Sequence, residues 1–371
     1  MTDLRSWLIL LRAPGLNSTI VDQLLETYGD AATVIASGRS GLRQAGLQEK
    51  TISALLHPDN ALVDADLAWL AKPGRELIPR GADNYPVLLA ATPGAPLALF
   101  VDGDPLTLAL PQLAIVGSRN PTATGRDNAT AFARHLAGCG LAITSGLATG
   151  IDSCAHAGAL DGTGRTIAVC GTGLDQVYPA DRAGLADRIR QNGALVSEFP
   201  PGTPPRRAHF PQRNRIIAGM AMGTLVVEAA HRSGSLITAH RAIEFGREVF
   251  AIPGSIHNPL SRGCHRLIRE GAKLVESSTD ILDELAPVFQ AAHEIEPAQN
   301  AVADHDRLDE DYAKLLDCIG YEPTQIDTMV QRSGLTANEV SSMLLILELR
   351  GYVSQVAGGG FSRTGKKRST E

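Results

Sequence analysis

The sequence is poor in cysteine, lysine and aromatic residues, and it contains no long apolar run. Its five cysteines form no C-x-x-C pair, which argues against a zinc site and favours a reducing compartment over a disulfide framework. No segment approaches the ~18 consecutive apolar residues of a membrane-spanning helix, and the N-terminal residues lack a cleavable signal pattern. We therefore expect a cytoplasmic protein with no bound metal, no other cofactor and no membrane association.

Positive charge is also scarce when the chain is taken as a whole. The formal net charge of −6 argues against a nucleic-acid-binding protein, because such proteins usually neutralise phosphates with a basic surface. Counted by region, however, the net charge is −4 for residues 1–110, +3 for 111–286 and −5 for 287–371. The excess positive charge therefore lies in the middle third. Arginine is the main cation, since the whole chain has 28 arginines and six lysines.

The chain has 371 residues, 44% of them hydrophobic, and so has room for two or three domains with packed cores. Apolar residues at helical spacing predict short helices up to about residue 65. Residues 66–110 are punctuated by proline and contain one predicted strand, 97–101. We expect this second segment to be a connector that packs on the core of the domain that follows.

Between residues 111 and 286, short apolar runs alternate with helical stretches. The predicted strands are 113–116, 141–144, 166–170, 194–197, 224–228 and 248–252, and the predicted helices are 125–138, 150–161, 181–192, 234–246 and 263–271. This alternation is typical of βαβ units and predicts an α/β fold with a Rossmann-like, doubly wound, mostly parallel sheet. Ligands of such sheets bind at the carboxyl ends of the strands, so the loops after the strands form the candidate site.

The C-terminal part has a different pattern. Residues 287–304 show no clear periodicity and are predicted to be a linker. Three amphipathic helices and a glycine-bearing hairpin follow within 305–371, ahead of a basic tail at 366–368. Three helices and a hairpin indicate a winged helix-turn-helix.

The first loop of the candidate site carries Gly117, Ser118 and Arg119. Glycine lets backbone N–H groups approach an anion, serine adds a hydroxyl donor, and arginine can hold a phosphate through two hydrogen bonds. An ordinary strand-to-helix turn with a solvated arginine explains the same residues equally well. The G-x-G-x-x-G fingerprint of dinucleotide-binding proteins is missing here.

The next loop has the same character. Gly146 and Gly150 flank a strand-to-helix junction, and Asp152 and His156 follow on the helix. We interpret these two side chains as capping and packing residues rather than as catalysts, because a lone histidine on the first turns of a helix more often packs or bonds than reacts. A third loop, 171–174, fits a phosphate cradle or an ordinary turn.

A further loop follows the strand that ends near Glu228. Ser233, Gly234 and Ser235 begin the next helix and offer N–H donors to an anion, although capping alone would explain the serines. One such loop is a weak signal. Several loops with phosphate-suited residues at one edge of a sheet predict an anion-binding site.

The strongest local signal is a basic cluster at 206–215 with an aromatic residue, Phe210, inside it. No acidic residue occurs between Glu198 and Glu228, and the net charge over 206–247 is +5. An aromatic face beside cationic groups suits single-stranded nucleic acid, because bases stack on the ring while arginines hold phosphates. In the alternative interpretation, Phe210 packs into the core and the arginines pair with distant carboxylates.

Several strings together resemble the DprA/Smf family of DNA-processing proteins of natural transformation. They occur in consistent order and spacing over residues 111–286: AIVGSR, TSGLATGIDSCAH, SEFPPGT, HFPQRNRIIAGM, VVEAAHRSGSLITAHRAIEFGREVFAIPG and GCHRLIREGAKLV. The flanks are similar in architecture to longer members, which implies a SAM-like or helix-hairpin-helix-like domain at 1–65 and a winged-helix domain at 305–371.

The resemblance implies a recombination mediator without catalytic residues. Such a protein binds and protects incoming single-stranded DNA and loads the RecA recombinase onto it, past single-strand-binding protein, as a homodimer formed through the Rossmann-like domain. The resemblance assigns the phosphate grip to the first loop, backbone and base contacts to the basic-aromatic pair, and a supporting role to the R-N-R motif. The predicted DNA-contacting set is Gly117, Ser118, Arg119, Gly146, Arg207, Phe210, Arg213, Arg215, Ser233, Gly234 and Ser235.

Two other functions remain open from the residues. A nucleotide or nucleoside-monophosphate hydrolase on a related fold would use Asp152 and Glu228, but the glycine-rich signature of such enzymes is missing. A duplex-reading regulator would use the winged helix. Residues 304–361 carry a net charge of −6, however, whereas a recognition helix in the major groove is usually basic. We therefore interpret the winged helix as a partner-binding or regulatory module.

Overall fold

The computed structural model describes residues 3–162, 164–294, 310–319, 324–336, 340, 343–344, 347–348, 352–356 and 360–364. The chain divides into two compact units, residues 1–285 and 286–371. Each unit has its own apolar core, and each is described by itself below.

The first unit begins with six helices: α1 (Leu4–Arg12), α2 (Ser18–Tyr28), α3 (Ala31–Ala36), α4 (Gly38–Gln44), α5 (Glu49–Leu56) and α6 (Asn60–Leu70). Polar side chains fix several of their starts, because Asp3, Asn17, Asp30 and Asp59 each accept a hydrogen bond from a backbone N–H of the first turn. Such a cap stabilises a helix by about 1 kcal/mol. The helices predicted up to residue 65 are present, although α6 continues past that boundary.

A nine-stranded sheet follows: β1 (Arg75–Pro79), β2 (Ala98–Gly103), β3 (Gln112–Val116), β4 (Ala142–Ser145), β5 (Thr166–Val169), β6 (Gly193–Ser197), β7 (Gly223–Val226), β8 (Glu248–Ala251) and β9 (Lys273–Leu274). The spatial order is β1-β2-β6-β5-β4-β3-β7-β8-β9. β1–β2 and β2–β6 pair antiparallel, and all other pairs are parallel. The predicted mostly parallel, doubly wound sheet is confirmed.

The strand order creates a switch point between β3 and β7. The chain builds outward from β3 to β6 on one side and from β7 to β9 on the other. The connections that follow β3 and β7 therefore run in opposite directions, and a crevice opens between them at the carboxyl ends of these two strands.

Seven helices connect the described strands of the sheet: α7 (Val87–Ala90), α8 (Ala123–Gly138), α9 (Ile151–Asp161), α10 (Ala183–Asn192), α11 (His209–Met220), α12 (Ser235–Glu244) and α13 (Arg262–Arg269). The helix α14 (Ser278–Glu294) follows the last strand, β9. Short 3-10 segments occupy Pro105–Ala109, Ala180–Arg182 and Pro259–Ser261. α14 includes 287–294, so the first eight residues of the predicted linker are helical and that part of the expectation is wrong. Residues 295–304 of the linker lie outside the described residues.

The segment 66–110 contributes more than the single strand expected from its sequence. It supplies both β1 and β2, which extend the sheet beyond β6. Phe100 of β2 is fully buried, and its ring meets that of Trp69 at a centroid distance of 6.1 Å. Arg12 binds Asp66 through two hydrogen bonds of 2.6 and 2.7 Å, and Asp66 is fully buried. The N-terminal helices thus share one core with a face of the sheet.

The basic cluster also folds differently from the sequence-based expectation, which included no helix there. Helix α11 begins at His209, carries Pro211 in its first turn, where proline is tolerated, and runs to Met220. Its polar first half hides the helical period, which becomes apolar only at Ile216 and Ile217. These two isoleucines are buried in the core beneath the sheet edge.

The second unit contains α15 (Glu310–Cys318), α16 (Ile326–Ser333) and a two-stranded antiparallel hairpin of β10 (Val353–Val356) and β11 (Gly360–Arg363). Residues 340, 343, 344, 347 and 348, which fall in the third predicted helix, have helical backbone. Their apolar side chains join a core with residues of α15, α16 and the hairpin. The predicted basic tail at 366–368 lies outside the described residues.

Candidate nucleic-acid interface

A cleft of about 730 Å³ opens at the carboxyl ends of β3 and β7, at the switch point. We call it the switch-point cleft. Nine of the eleven residues predicted from the sequence line it: Gly117, Ser118, Arg119, Arg207, Phe210, Arg213, Ser233, Gly234 and Ser235. The other two, Gly146 and Arg215, do not belong to its lining.

The turn after β3 is held rigidly on both sides. Ser118 donates its backbone N–H to Glu228 O at 2.7 Å and accepts from the Ile151 N–H at 3.1 Å. A Cβ on Gly117 would lie 2.6 Å from Cγ1 of Ile151, so a larger residue does not fit there. The Ser118 hydroxyl oxygen accepts from the Asn120 N–H at 3.1 Å, which leaves its proton available to a ligand.

Arg119 is positioned beside the aromatic residue of the cleft. Its Cζ atom lies 5.9 Å from the ring centroid of Phe210. Within the described part of the chain, Arg119 forms no ion pair, and neither do the exposed Arg207 and Arg232, which also line the cleft. A guanidinium group without a carboxylate partner is free to bind phosphate through two hydrogen bonds.

Phe210 is half-buried and faces the cleft rather than the core. Its ring lies 5.6 Å from that of Tyr178, centroid to centroid, and Tyr178 is itself 47% exposed. The preceding residue, His209, stacks on Phe199 at 4.2 Å and interacts with Gly171 O through Nδ1 at 3.2 Å. These contacts fix the first turn of α11, so the Phe210 ring has a defined position beside open space.

Arg213 forms part of the cleft floor. It is only 4% exposed, and its Nη1 donates to Val169 O at 2.7 Å, at the end of β5. Burial lowers the pKa of Arg213 and raises that of Asp152, while the opposite charges of the two groups counteract both shifts. A Cβ on Gly146 would lie 1.9 Å from Arg213 Nη1, so Gly146 leaves room for this guanidinium group.

Arg215 points away from the cleft. Its guanidinium group forms an ion pair with Glu198, and its side chain is 19% exposed. Residues two apart on a helix face different sides, which explains why Arg213 and Arg215 are separated although they belong to one sequence motif. For Arg215, therefore, the alternative interpretation of the basic cluster applies: the arginine pairs with a carboxylate distant in sequence.

The Ser233–Ser235 segment begins α12 at the opposite wall of the cleft. The hydroxyl groups of Ser233 and Ser235 lie 2.7 Å apart, and the Ser233 oxygen accepts from the Ser235 N–H at 3.3 Å. Asn214 Nδ2 donates to Gly234 O at 3.4 Å and connects this segment to α11. The sequence-based set did not include Asn214, Tyr178 or Arg232. Asn214 lies in the R-N-R motif and Arg232 lies in the basic stretch 206–247, so both had a sequence signal.

The carboxylates considered for hydrolysis are already engaged. Glu228 is 7% exposed and accepts from the Thr122 N–H at 2.9 Å and from its hydroxyl at 2.7 Å, so it anchors the start of α8. Asp152 is 8% exposed and accepts from the backbone N–H groups of Gly146 and Ala148 at 3.2 and 3.4 Å. Both carboxylates hold backbone in place, and Asp152 also lies in the lining of the switch-point cleft.

His156 is a packing residue. It is fully buried, Nδ1 lies 2.7 Å from the Thr166 hydroxyl, and burial lowers its pKa to about 3. Among the described residues, no cluster of three or more histidine, cysteine or acidic side chains could hold a metal ion. In the same residues, no helix is long and apolar enough to cross a membrane.

Comparison with known proteins agrees with this architecture. The family model for DNA recombination-mediator protein A matches residues 76–286, and the model for the DprA winged helix domain matches 297–359. Protein Smf of Escherichia coli is 44% identical over 86% of this chain and 85% of its own length. DNA processing protein DprA of Streptococcus pneumoniae is 50% identical over 54% of this chain and 71% of its own length.

Solved structures give the same relationship. The X-ray structure of DprA from Streptococcus pneumoniae has a TM-score of 0.67 at 39% identity and covers 76% of this chain and 99% of that one. A structure of DNA processing protein A from Helicobacter pylori, which concerns that protein's single-stranded DNA binding mode, has a TM-score of 0.52 at 28% identity. It covers 56% of this chain and 95% of that one. Because the family model spans more than half of the chain, and a 44% identical relative is matched over most of its length, the chain belongs to the DprA/Smf family of DNA-processing proteins.

Proposed function

We propose that this protein binds single-stranded DNA in the switch-point cleft and loads the RecA recombinase onto the bound strand. The observation that carries the proposal is the position of Arg119 Cζ at 5.9 Å from the ring centroid of Phe210, in a cleft whose exposed arginines form no ion pair among the described residues. A base can stack on the ring while the guanidinium group binds the adjacent phosphate. The H. pylori relative, studied for its single-stranded DNA binding mode, supports this choice of ligand.

The chemistry of the cleft favours single-stranded DNA over duplex DNA. A stacking ring requires an unpaired base, and aromatic stacking contributes about 1–3 kcal/mol per base irrespective of sequence. Arg119, Arg207 and Arg232 can neutralise up to three phosphates. The logarithm of the binding constant should therefore fall with the logarithm of salt concentration at a slope of about −2.

Recombinase loading is the part of the proposal that rests on family membership. A homodimer formed through the 111–286 domain would hold two stretches of DNA, protect them and present them to RecA in competition with single-strand-binding protein. In this arrangement the first 65 residues act as a SAM-like accessory domain. The winged-helix domain, whose residues 304–361 carry a net charge of −6, acts as a partner-binding or regulatory module in the cytoplasm.

The binding step is tested by fluorescence anisotropy with labelled oligo-dT. Arg119→Ala should weaken binding about tenfold, because it removes one charge-assisted phosphate contact. Arg134→Ala provides a matched control, since Arg134 lies on α8 outside the cleft lining and carries the same charge. Equal affinities of the two variants would contradict the assignment of the cleft.

The loading step is tested with purified RecA on single-stranded DNA that is coated with single-strand-binding protein. The protein should accelerate RecA-dependent ATP hydrolysis, and Arg119→Ala should not. A parallel incubation with nucleoside monophosphates addresses the hydrolase alternative. Release of free base that disappears in Glu228→Ala would favour the enzyme and contradict the mediator.

A further inference from the structure

A second cleft, of about 490 Å³, lies on the other side of Arg119. Arg126 and Arg182 form its basic walls, and Thr149, Ser153 and Cys154 contribute to its lining. Arg119 belongs to the lining of both clefts and is the residue that connects them. We propose that this Arg126–Arg182 cleft binds a further backbone phosphate of the same DNA strand, an inference that rests on the function proposed above.

The two arginines present donors to the cleft. Arg126 lies in the first turns of α8, is exposed and donates from Nη1 to Pro121 O at 3.0 Å, which leaves most of its guanidinium donors unused. Arg182 ends the 3-10 segment at 180–182, and its side chain is 31% exposed, so part of its guanidinium group can be reached by a ligand in the cleft.

The electrostatic balance also favours an anion. Neither Arg119 nor Arg126 forms an ion pair within the described part of the chain, and Arg182 pairs at 2.9 Å only with its exposed neighbour in sequence, Asp181. Asp127 on α8 also lies near this cleft, where it acts on the Cys154 thiol. Among the described residues, the three guanidinium groups face Asp181 and Asp127, which both reach solvent, and Arg119 also interacts with the buried Asp152 on its switch-point side.

The cleft lining adds no negative charge of its own. Burial raises the pKa of the Cys154 thiol, so it stays protonated at neutral pH. The Ser153 hydroxyl donates to Ala148 O at 2.6 Å and is engaged. The arginines are therefore the groups that would contact a ligand.

The fold keeps the two clefts in a fixed relation. Gly150 has a φ of +82°, and a Cβ there would lie 2.3 Å from Ser118 O and 2.6 Å from Arg119 O. The start of α9 is thus pressed directly against the turn that carries Arg119, and the Ile151 N–H bonds to Ser118 O. A DNA strand whose phosphate is bound by Arg119 can extend in two directions. One direction runs past Phe210, and the other runs into the Arg126–Arg182 cleft. The guanidinium groups of Arg126 and Arg182 mark the second direction.

The proposal predicts a dependence of affinity on strand length. A strand of about four nucleotides occupies the switch-point cleft, whereas one of about sixteen also reaches the second cleft. Arg126→Ala/Arg182→Ala should weaken binding of the long strand about tenfold and reduce its salt slope by about 0.7 for the phosphate lost. Affinity for the short strand should not change, which also reports that the variant is folded.

The matched control is Arg134→Ala/Arg188→Ala, which removes the same charge from α8 and α10 outside both clefts. Equal loss of long-strand affinity in the two double variants would overturn the inference and indicate a general charge effect. Inorganic phosphate at low millimolar concentration could also abolish the difference in affinity between the long and the short strand. That result would overturn the inference, because the cleft would then be a site for a free anion. Failure of the unsubstituted protein to bind either strand would contradict the proposed function itself.

Discussion

Replacing Phe210 by alanine separates the two physical contributions to the DNA binding that we propose for the switch-point cleft. The half-buried ring lies 5.6 Å from the Tyr178 ring and 5.9 Å from Arg119 Cζ, so it offers one face to a base while it neighbours a cation. Stacking of one base contributes about 1–3 kcal/mol, which corresponds to a loss of affinity of about 5- to 150-fold. We expect a value near the middle of this range, because the Tyr178 ring remains and retains part of the aromatic surface.

The salt dependence distinguishes this loss from that of an arginine. Phe210 carries no charge and releases no counterion, so Phe210→Ala should lower affinity at every salt concentration without changing the slope. Arg119→Ala should make the slope shallower by about 0.7, the contribution of one phosphate on a single strand. Both quantities follow from anisotropy titrations of oligo-dT at several concentrations between about 50 and 200 mM salt.

Phe210→Tyr serves as the control, because it keeps an aromatic face at the same position and should retain most of the affinity. The reasoning is refuted if Phe210→Ala binds as tightly as the unsubstituted protein. It is refuted equally if this variant changes the salt slope as much as Arg119→Ala does, since the ring would then act only by orienting the arginine.

Three further predictions concern residues that support the fold around the cleft. Gly146→Ala should lower the free energy of unfolding by about 1–3 kcal/mol in urea titrations and should weaken DNA binding, because its Cβ would lie 1.9 Å from Arg213 Nη1. If neither the free energy of unfolding nor the affinity for DNA changed, the close contact would be contradicted. Glu198→Gln should destabilise the fold by about 3 kcal/mol, since it leaves the Arg215 charge poorly paired, yet the salt slope of DNA binding should stay the same. The pKa of His156 is lowered from 6.5 to about 3, so only the unfolded chain binds this proton between these pH values. Stability should fall by up to ~1.4 kcal/mol per pH unit below about pH 6, and His156→Gln should show a smaller fall in urea titrations at pH 7 and 5.

The sheet could be predicted from the sequence because its signals are local. Each central strand is a short apolar run, and the turn after β3 carries a glycine where a Cβ would lie 2.6 Å from Ile151. The segment 66–110 was harder, because β1 and β2 pair with each other and join the sheet only through the antiparallel pairing of β2 with β6, which is distant in sequence. Its prolines also obscure the strand period, as the polar first half of α11 obscures the helical period.

The candidate site shows where residue type alone is insufficient. Arg213 and Arg215 belong to one motif and have the same chemistry, but the helix directs the first into the cleft floor and the second toward Glu198. Tyr178 is distant in sequence from Phe210 and becomes its neighbour only through the fold. Most of the residues predicted from the sequence therefore line the cleft, while the accessibility of each arginine depended on long-range ion pairs.

Those ion pairs also resolve the conflict between an acidic chain and a nucleic-acid ligand. Arginines such as Arg12 and Arg215 pair with the buried carboxylates of Asp66 and Glu198, so they contribute to the count of positive charges without creating a positive surface. The arginines that line the mouth of the switch-point cleft have no such partner within the described residues: Arg119, Arg207 and Arg232. The potential that a DNA strand meets is set by these unpaired groups rather than by the net charge of −6. The acidic remainder of the chain repels phosphates elsewhere, so the proposed binding should be confined to the cleft and should occur at discrete sites on long DNA rather than as indiscriminate coating.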